Sequence, residues 1–238
     1  MVAMNTNLKI FGMLLLGTLF FNTAMNMMAN NIEDYESVAL PPKKQPQFKT
    51  LNSLITVDAK SRSSWILVDF STGETHQVGD LENDRHLLNQ MDWDLGFQRT
   101  KIMANGGATN PQGQVGIINL GAVPFDEVLS LPEKGFVEDA RAWGNVVNRS
   151  IIDWYIYRTR THNIESKKNV YVLRTTQGHT KIRIINYYCN RSEIECKTAL
   201  CSRVEAACYT IEFANIPTGD KAFPHPSPAV QQTAQITH

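Results

Sequence analysis

Histidine and the aromatic residues around it form the clearest candidate for metal chemistry in this sequence. His162 lies in the segment 159–164, flanked on one side by Trp154, Tyr155 and Tyr157 and on the other by Tyr171. A neutral imidazole can coordinate iron, and aromatic rings can cover the face of a flat ligand that carries the metal. A single loop histidine more often has no ligand role, so that alternative stays open. The other histidines have solvated or structural explanations: His76, His86, His179, His225 and His238.

Four cysteines, all within one short segment, offer a second kind of chemistry. Their even number and clustering favour disulfides in an exported chain, whereas zinc sites usually have closely paired cysteines. Cys189 directly follows one predicted strand and Cys208 directly precedes the next, so pairing of these strands would place the two residues opposite each other. The preferred connectivity is therefore nested, with Cys189–Cys208 outside and Cys196–Cys201 inside.

Motifs for nucleophilic, metal-dependent or nucleotide-dependent catalysis are missing. The sequence contains no G-x-S-x-G, H-E-x-x-H, G-x-x-x-x-G-K or G-x-G-x-x-G pattern. The glycine-rich segment 105–110 lacks the lysine that a phosphate loop needs. Asp92 and Asp94 could act as a carboxylate pair, but solvated strand positions are the simpler interpretation. The prediction is a binding protein and not an enzyme.

Charge and composition narrow the class of partner. The 238 residues contain 23 Lys and Arg and 23 Asp and Glu, and 42% of them are hydrophobic. Nucleic-acid binders usually have a basic excess, because phosphate contacts provide much of their affinity. A balanced charge and an ordinary apolar fraction predict one globular domain that does not bind nucleic acid.

The two ends of the chain differ in composition from its middle. An apolar run of twelve residues from Ile10 to Phe21, preceded by Lys9, is typical of a signal peptide and too short to span a bilayer. We predict a signal peptide at 1–29, a polar, proline-containing linker at 30–50, a β domain at 51–217 and a disordered tail at 218–238. No cysteine precedes Cys189, so we expect an exported protein without a lipid anchor and without a transmembrane segment beyond the signal peptide.

The middle of the chain is dominated by strand-like patterns. Apolar or alternating stretches predict strands at 65–70, 75–78, 92–97, 114–120, 169–174, 179–188 and 209–214. Turn residues between 65–70 and 75–78, and between 169–174 and 179–188, predict two hairpins. Helical patterning is weak, with one short helix expected within 197–207. The predicted fold class is all-β, with antiparallel sheets in a sandwich-like arrangement.

Several of these stretches, in this order, resemble the HmuY-type haem-binding family. They are Asp92 to Phe97 leading into Asn105-Gly-Gly107, residues 154–157 with His162, residues 170–178, and residues 181–188. The resemblance runs from about Leu51 to Pro217. It implies an all-β fold whose loops hold haem at one edge, in a secreted, periplasmic or outer-membrane-associated protein. Members of this type capture haem and pass it to an outer-membrane receptor.

The resemblance also implies a set of site residues. Family members hold the iron with two axial side chains, histidines in some and methionines in others, and His162 matches the place of one of them. The other is missing from its expected stretch, so His76, His179 or Met103 is the candidate second ligand. Aromatic residues expected around haem are Trp154, Tyr155, Tyr157 and Tyr171. Five-coordinate haem on His162 alone, and a β-sheet module for another ligand or a surface partner that has lost the haem ligand, stay open.

Overall fold

The computed structural model describes residues 53–79, 84–89, 91–142, 144–197 and 201–223. They all belong to the unit Pro42–His238. The predicted signal peptide, the predicted linker and residues 224–238 of the predicted tail lie outside the described residues. Within the described ranges, no helix is both long enough and apolar enough to cross a bilayer.

Nearly all regular structure in the described residues is strand, as the alternating patterns predict. A short helix, α1 (Arg85–Leu88), follows the first hairpin. The strands are β1 (Ser53–Asp58), β2 (Trp65–Val68), β3 (Thr75–Val78), β4 (Leu95–Gln98), β5 (Lys101–Ala104), β6 (Gly116–Asn119), β7 (Ala140–Ala142), β8 (Asn145–Val147), β9 (Tyr155–Arg158), β10 (Asn163–Ser166), β11 (Val170–Arg174), β12 (Gly178–Tyr188) and β13 (Ala206–Pro217).

The strands form two main antiparallel sheets and two separate hairpins. The larger sheet has the order β1-β13-β12-β11-β6 and the smaller sheet the order β3-β2-β4-β5. The hairpins β7–β8 and β9–β10 pair separately. Both predicted hairpins are confirmed, because β2 pairs with β3 and β11 pairs with β12 in antiparallel register.

One core joins the inner faces of the two main sheets. Ile182 and Ile184 of β12 project into it, and Leu95 and Phe97 of β4 meet them from the smaller sheet. Alternation along the strands explains this arrangement, since every second side chain points to the same face. The all-β, sandwich-like prediction is confirmed.

The outer face of the larger sheet extends the domain beyond the predicted boundary at Pro217. Phe223 is buried with Val172 and Ile216, and its N–H donates to the Leu129 carbonyl at 2.8 Å. The predicted tail therefore begins too early, because residues 218–223 continue over this face. The surrounding residues are mostly proline and polar, so the sequence pattern did not indicate that Phe223 would be buried.

The segment between β12 and β13 differs from the prediction in its helix. Its described regular structure is a 3₁₀ turn at Glu195–Lys197, and residues 203–205 form a turn instead of the expected helix. The backbone here meets β12, because the Cys189 N–H donates to the Glu205 carbonyl at 3.0 Å. Residues 198–200 lie outside the described ranges.

The cysteine connectivity agrees with the prediction for one bond and differs for the other. Cys196 and Cys201 form a disulfide with their Cα atoms 5.4 Å apart. The predicted Cys189–Cys208 disulfide is not formed in the described chain. Two register shifts between Ile184 and Tyr188 place Cys189 opposite Glu205. Cys208 lies opposite Asp58 of β1. The two thiols are hydrogen-bonded to each other.

The aspartates before β4 also correct the sequence interpretation. Asp94 is buried and accepts a hydrogen bond from the Phe70 N–H at 2.9 Å, so it is not a solvated strand position. The strand begins only at Leu95, which leaves Asp94 in a turn that faces the neighbouring loop. Asp92 is exposed, as expected.

Candidate functional site

A cleft of about 600 Å³ lies between β5 and the β7–β8 hairpin, and we call it the β5 cleft. This volume falls within the range of roughly 300–1,000 Å³ found for small-molecule sites. Its lining combines a thioether, two cationic side chains and several aromatic or aliphatic groups. The residues that define this chemistry are Met103, Lys101, Arg141, Trp65, Val146, Ile152 and Tyr155.

The position of β5 in its sheet explains why a cleft forms here. β5 is an edge strand of the smaller sheet, so one side of it has no strand partner within that sheet. Lys101 and Met103 lie two residues apart and therefore project from the same face of β5. The β7–β8 hairpin lies beside this edge without joining the sheet, and the space between them is the cleft.

A buried carboxylate ties the two walls of the cleft together. Asp139, directly before β7, accepts hydrogen bonds from the Ala104 N–H at 2.9 Å, the Thr109 hydroxyl at 2.5 Å and the Asn148 amide at 3.0 Å. Burial raises the pKa of Asp139, while the bonds from Thr109, Asn148 and Ala104 oppose that rise. The carboxylate thus connects the end of β5 to both ends of the β7–β8 hairpin.

The Asn105-Gly-Gly107 segment lets the chain pass close to the Asp139 backbone. Gly107 has a φ of +56°, and a Cβ there would approach the Asp139 carbonyl oxygen to 2.2 Å. Only glycine fits such a backbone approach without displacing the hairpin wall. This glycine-rich segment is therefore part of the cleft's support.

Met103 is the candidate iron ligand that the structure places in the cleft. Its side chain is 4% exposed and packs over Gly96, where the neighbouring strand has no side chain to compete for space. It also contacts the Leu67 and Trp93 cluster on the outer face of the smaller sheet. The Met103 thioether thus stands at the boundary between a packed cluster and the cleft.

The β9–β10 hairpin brings Tyr155 to the cleft and carries His162 in its turn. Tyr155 and Tyr157 alternate with Ile156 and so share a face of β9. His162 is exposed, has a φ of +53°, and its Nδ1 hydrogen-bonds to the Tyr157 hydroxyl at 2.6 Å. His162 is not among the described residues that line the β5 cleft.

The comparisons with known proteins identify the family of this chain. The model of the HmuY protein family matches residues 61–200. The chain belongs to the HmuY family. A search of curated proteins finds no match.

Solved structures share the fold at low sequence identity. The apo HmuY analog of Tannerella forsythia superposes with a TM-score of 0.51 at 15% identity, covering 79% of this chain and 100% of that one. Apo PinO, from Porphyromonas gingivitis, gives a TM-score of 0.51 at 15% identity, covering 69% and 96% respectively. These likenesses show that this HmuY-family chain has the HmuY-like all-β fold.

In this HmuY-family chain, the four aromatic residues predicted to surround a ligand have different positions. Tyr155 lines the β5 cleft, and Tyr157 is half exposed beside His162. Trp154 is only 1% exposed, and its indole N–H donates to the Thr100 carbonyl at 3.0 Å. Tyr171 is buried in the main core. Trp154 and Tyr171 are therefore core residues, because both rings pack in the main hydrophobic core.

The other two histidines named as second-ligand candidates lie elsewhere. His76 is on β3, at the edge of the smaller sheet opposite β5, with its Nε2 4.0 Å from Glu74. His179 is on β12 and packs against Phe136, and burial lowers its pKa. Neither is among the described residues that line the β5 cleft with Met103.

Sequence reasoning missed the cationic and aliphatic parts of the β5 cleft. Lys101, Arg141 and Val146 lie on short strands that the sequence did not predict. An isolated basic residue on a three- or four-residue strand has no periodic signal that separates it from an ordinary surface position. These residues can be recognised as cleft residues only from the structure, in which they lie close together beside the edge of β5.

Proposed function

We propose that this protein is exported and binds haem in the β5 cleft. The observation that carries the proposal is the lining of this cleft, in which aromatic and aliphatic side chains surround a methionine and two basic residues. Membership of the HmuY family supports haem as the ligand. The apolar run Ile10–Phe21 supports export.

The residues present fit the chemistry of haem. Trp65, Ile152 and Tyr155 offer apolar surface to a porphyrin ring, and Lys101 and Arg141 offer positive charge to its two carboxylates. Iron in haem accepts thioether, imidazole or phenolate ligands. Bound haem would supply the iron, and this chain's residues would hold and orient the ring and shield it from water.

Two side chains are proposed as iron ligands. Met103 lines the cleft itself, and His162 lies in the turn of the hairpin that contributes Tyr155 to the lining. The hydrogen bond between the Tyr157 hydroxyl and His162 Nδ1 leaves Nε2 as the coordinating nitrogen. We propose that the protein then carries haem to an outer-membrane receptor.

Haemin titration of the purified protein, followed at the Soret band, tests this function. We expect saturable binding with a shifted band. Met103→Leu keeps the packing over Gly96 but removes the sulfur, and His162→Ala removes the imidazole. Each should change the band and weaken binding about tenfold or more, since about 1.4 kcal/mol corresponds to a factor of ten.

The matched control is His76→Ala. It removes an imidazole on β3, at the opposite edge of the sheet that contains Met103. Its titration should equal that of the unmodified protein. A spectrum identical to that of free haemin would rule out haem binding. An unchanged band in both Met103→Leu and His162→Ala would rule out these two ligands.

A second candidate function is binding of another flat, anionic, apolar ligand without metal coordination. The small exposed fraction of Met103, and the absence of His162 from the described lining, favour this alternative. Iron-free protoporphyrin distinguishes the two. Equal affinity for haemin and protoporphyrin would support the second function, and a clear preference for haemin would support the first.

A further inference from the structure

The turn that carries His162 is attached to the disulfide loop through its neighbour, Asn163. The Asn163 side-chain N–H donates to the Cys196 carbonyl at 2.5 Å, and its side-chain oxygen accepts the Cys201 N–H at 3.3 Å. Asn163 is 5% exposed, so both bonds are shielded from water. One buried amide therefore contacts the backbones of both cysteines of the disulfide.

The disulfide is what makes this double contact geometrically feasible. The oxygen and nitrogen of one amide are attached to the same carbon, so their two partners must stay close together. The Cys196–Cys201 bond holds the two Cα atoms 5.4 Å apart, and both cysteines are buried, at 1% and 8% exposure. Without the bond, the Cys196 carbonyl and the Cys201 N–H could move separately, and Asn163 could not keep both.

Other contacts attach the base of the hairpin to β12. The Ile164 N–H donates to the Tyr188 hydroxyl at 2.9 Å, and the Ser166 hydroxyl donates to the Ile184 carbonyl at 2.7 Å. Beyond Ile164, the path to His162 passes through Asn163. The His162 backbone has positive φ, an unfavourable conformation for a non-glycine residue that persists when neighbouring contacts hold it.

We propose that Asn163 and the Cys196–Cys201 disulfide act together as a positioning clamp that sets the orientation of His162 for haem. This inference rests on the proposed function. The clamp keeps the turn in the conformation in which His162 and Tyr157 are hydrogen-bonded. Its loss leaves the fold intact but lets His162 sample other orientations, so haem affinity falls.

Two sets of variants test the clamp in the full chain. Asn163→Ala removes the amide and keeps the disulfide, and the double variant Cys196→Ser, Cys201→Ser removes the disulfide and keeps the amide. Serine replacement also avoids new thiols that could themselves bind haem iron. Asn215→Ala is the control, because Asn215 donates to the Phe70 carbonyl at 2.6 Å, away from the hairpin.

Hydrogen exchange without haem is the first measurement. We expect the Thr161 amide, whose N–H donates to the Arg158 carbonyl within the turn at 3.2 Å, to exchange about tenfold faster in both clamp variants and at an unchanged rate in Asn215→Ala. If the double serine variant does not fold, Asn163→Ala alone decides the result. Unchanged exchange in Asn163→Ala would overturn the clamp.

Haemin affinity in a double-mutant cycle is the second measurement. Asn163→Ala should weaken haemin binding about tenfold in the unmodified background and have no further effect once His162 is alanine. Additive losses would overturn the positioning role, because they would show that Asn163 acts independently of His162. If the unmodified protein does not bind haemin, the proposed function fails and the positioning role fails with it. The exchange result then separately decides whether the clamp itself exists.

Discussion

A single buried carboxyl group, Asp94, should influence how the stability of this protein depends on pH, although the formal net charge of the protein is zero. The carboxylate is 6% exposed and accepts one hydrogen bond, from the Phe70 N–H. Burial raises the pKa of Asp94 to about 7, and the nearby charges of Asp69 and Asp92 add to the rise, while the Phe70 bond opposes it. The folded protein therefore holds a proton on Asp94 at pH values where the unfolded chain has released it.

The pH dependence of stability should reveal this proton. The stabilising contribution of protonated Asp94 is complete below its unfolded pKa of about 4 and is lost as pH rises to about 7. Asp94→Asn keeps an acceptor for Phe70 and should remove that decline. Its stability relative to the unmodified protein should rise between pH 4 and pH 7.5, by up to about 4 kcal/mol, which corresponds to a pKa difference of about three units.

Urea unfolding at a series of pH values measures this difference. Asp92→Asn is the control, since Asp92 is the exposed neighbour in the same segment. The control should show nearly the same pH profile as the unmodified protein. Parallel profiles for Asp94→Asn and the unmodified protein would show that Asp94 is ionised in the folded state.

At the level of elements, the cleft depends on β5 and the β7–β8 hairpin, which the Asp139 side chain connects. Asp139 receives donors from the end of β5, from the turn after it and from Asn148 after β8. Edge strands need protection from pairing with other chains, and the β7–β8 hairpin lies beside β5 where such pairing would occur. The same arrangement leaves room for a ligand, because the hairpin packs beside the edge without hydrogen-bonding to it as a strand.

Asp139→Ala should loosen this arrangement. Three buried donors would lose their acceptor, and each unsatisfied buried group costs about 1–3 kcal/mol. We expect a loss of about 2–5 kcal/mol in the free energy of unfolding, measured by urea denaturation, together with weaker haemin binding.

The adjacent residue provides the control for this change. Glu138→Ala removes an ion pair with Arg174 at 3.0 Å, in which both side chains are more than 40% exposed. Such surface pairs contribute about 0–1 kcal/mol. Equal destabilisation by the two substitutions would contradict the role assigned to Asp139.

At the level of the whole molecule, the sandwich places the β5 cleft, the proposed ligand site, outside the main core. The core between the sheets is filled by aromatic and aliphatic side chains, with Trp154 in contact with Tyr187 and Tyr209. The β5 cleft lies at a sheet edge and is lined partly by residues of the short hairpins. The domain therefore does not need its ligand in order to complete its core.

Haem binding should consequently stabilise an already folded domain. A ligand at about 100 times its Kd adds about 2.7 kcal/mol to stability. For a domain of this size, that corresponds to a rise in Tm of roughly 5–10 °C. Differential scanning fluorimetry with haemin measures the shift, and circular dichroism of the haem-free protein checks that the sheets are already formed. A haem-free protein without β structure would contradict this account.

The sequence by itself determined the fold class and several of its elements. Alternation in residues 179–188 and the turn residues before them specify a hairpin whose Ile182 and Ile184 enter the core. Such signals are local, because the pleat of a strand and the conformational needs of a turn involve residues close in the chain. Local residue types suggested His162 as a candidate ligand and the family resemblance added Met103, without indicating how either is placed.

Only the tertiary structure decided which residues share the cleft. Met103, Arg141 and Tyr155 come from three separate parts of the chain and meet because an edge strand lies beside two hairpins. Likewise, the bulges in β12 shift the register between Cys189 and Cys208, whose thiols are hydrogen-bonded and not joined in a disulfide, although the strands themselves pair as predicted. Both outcomes depend on contacts between distant segments, which local side-chain patterns do not encode.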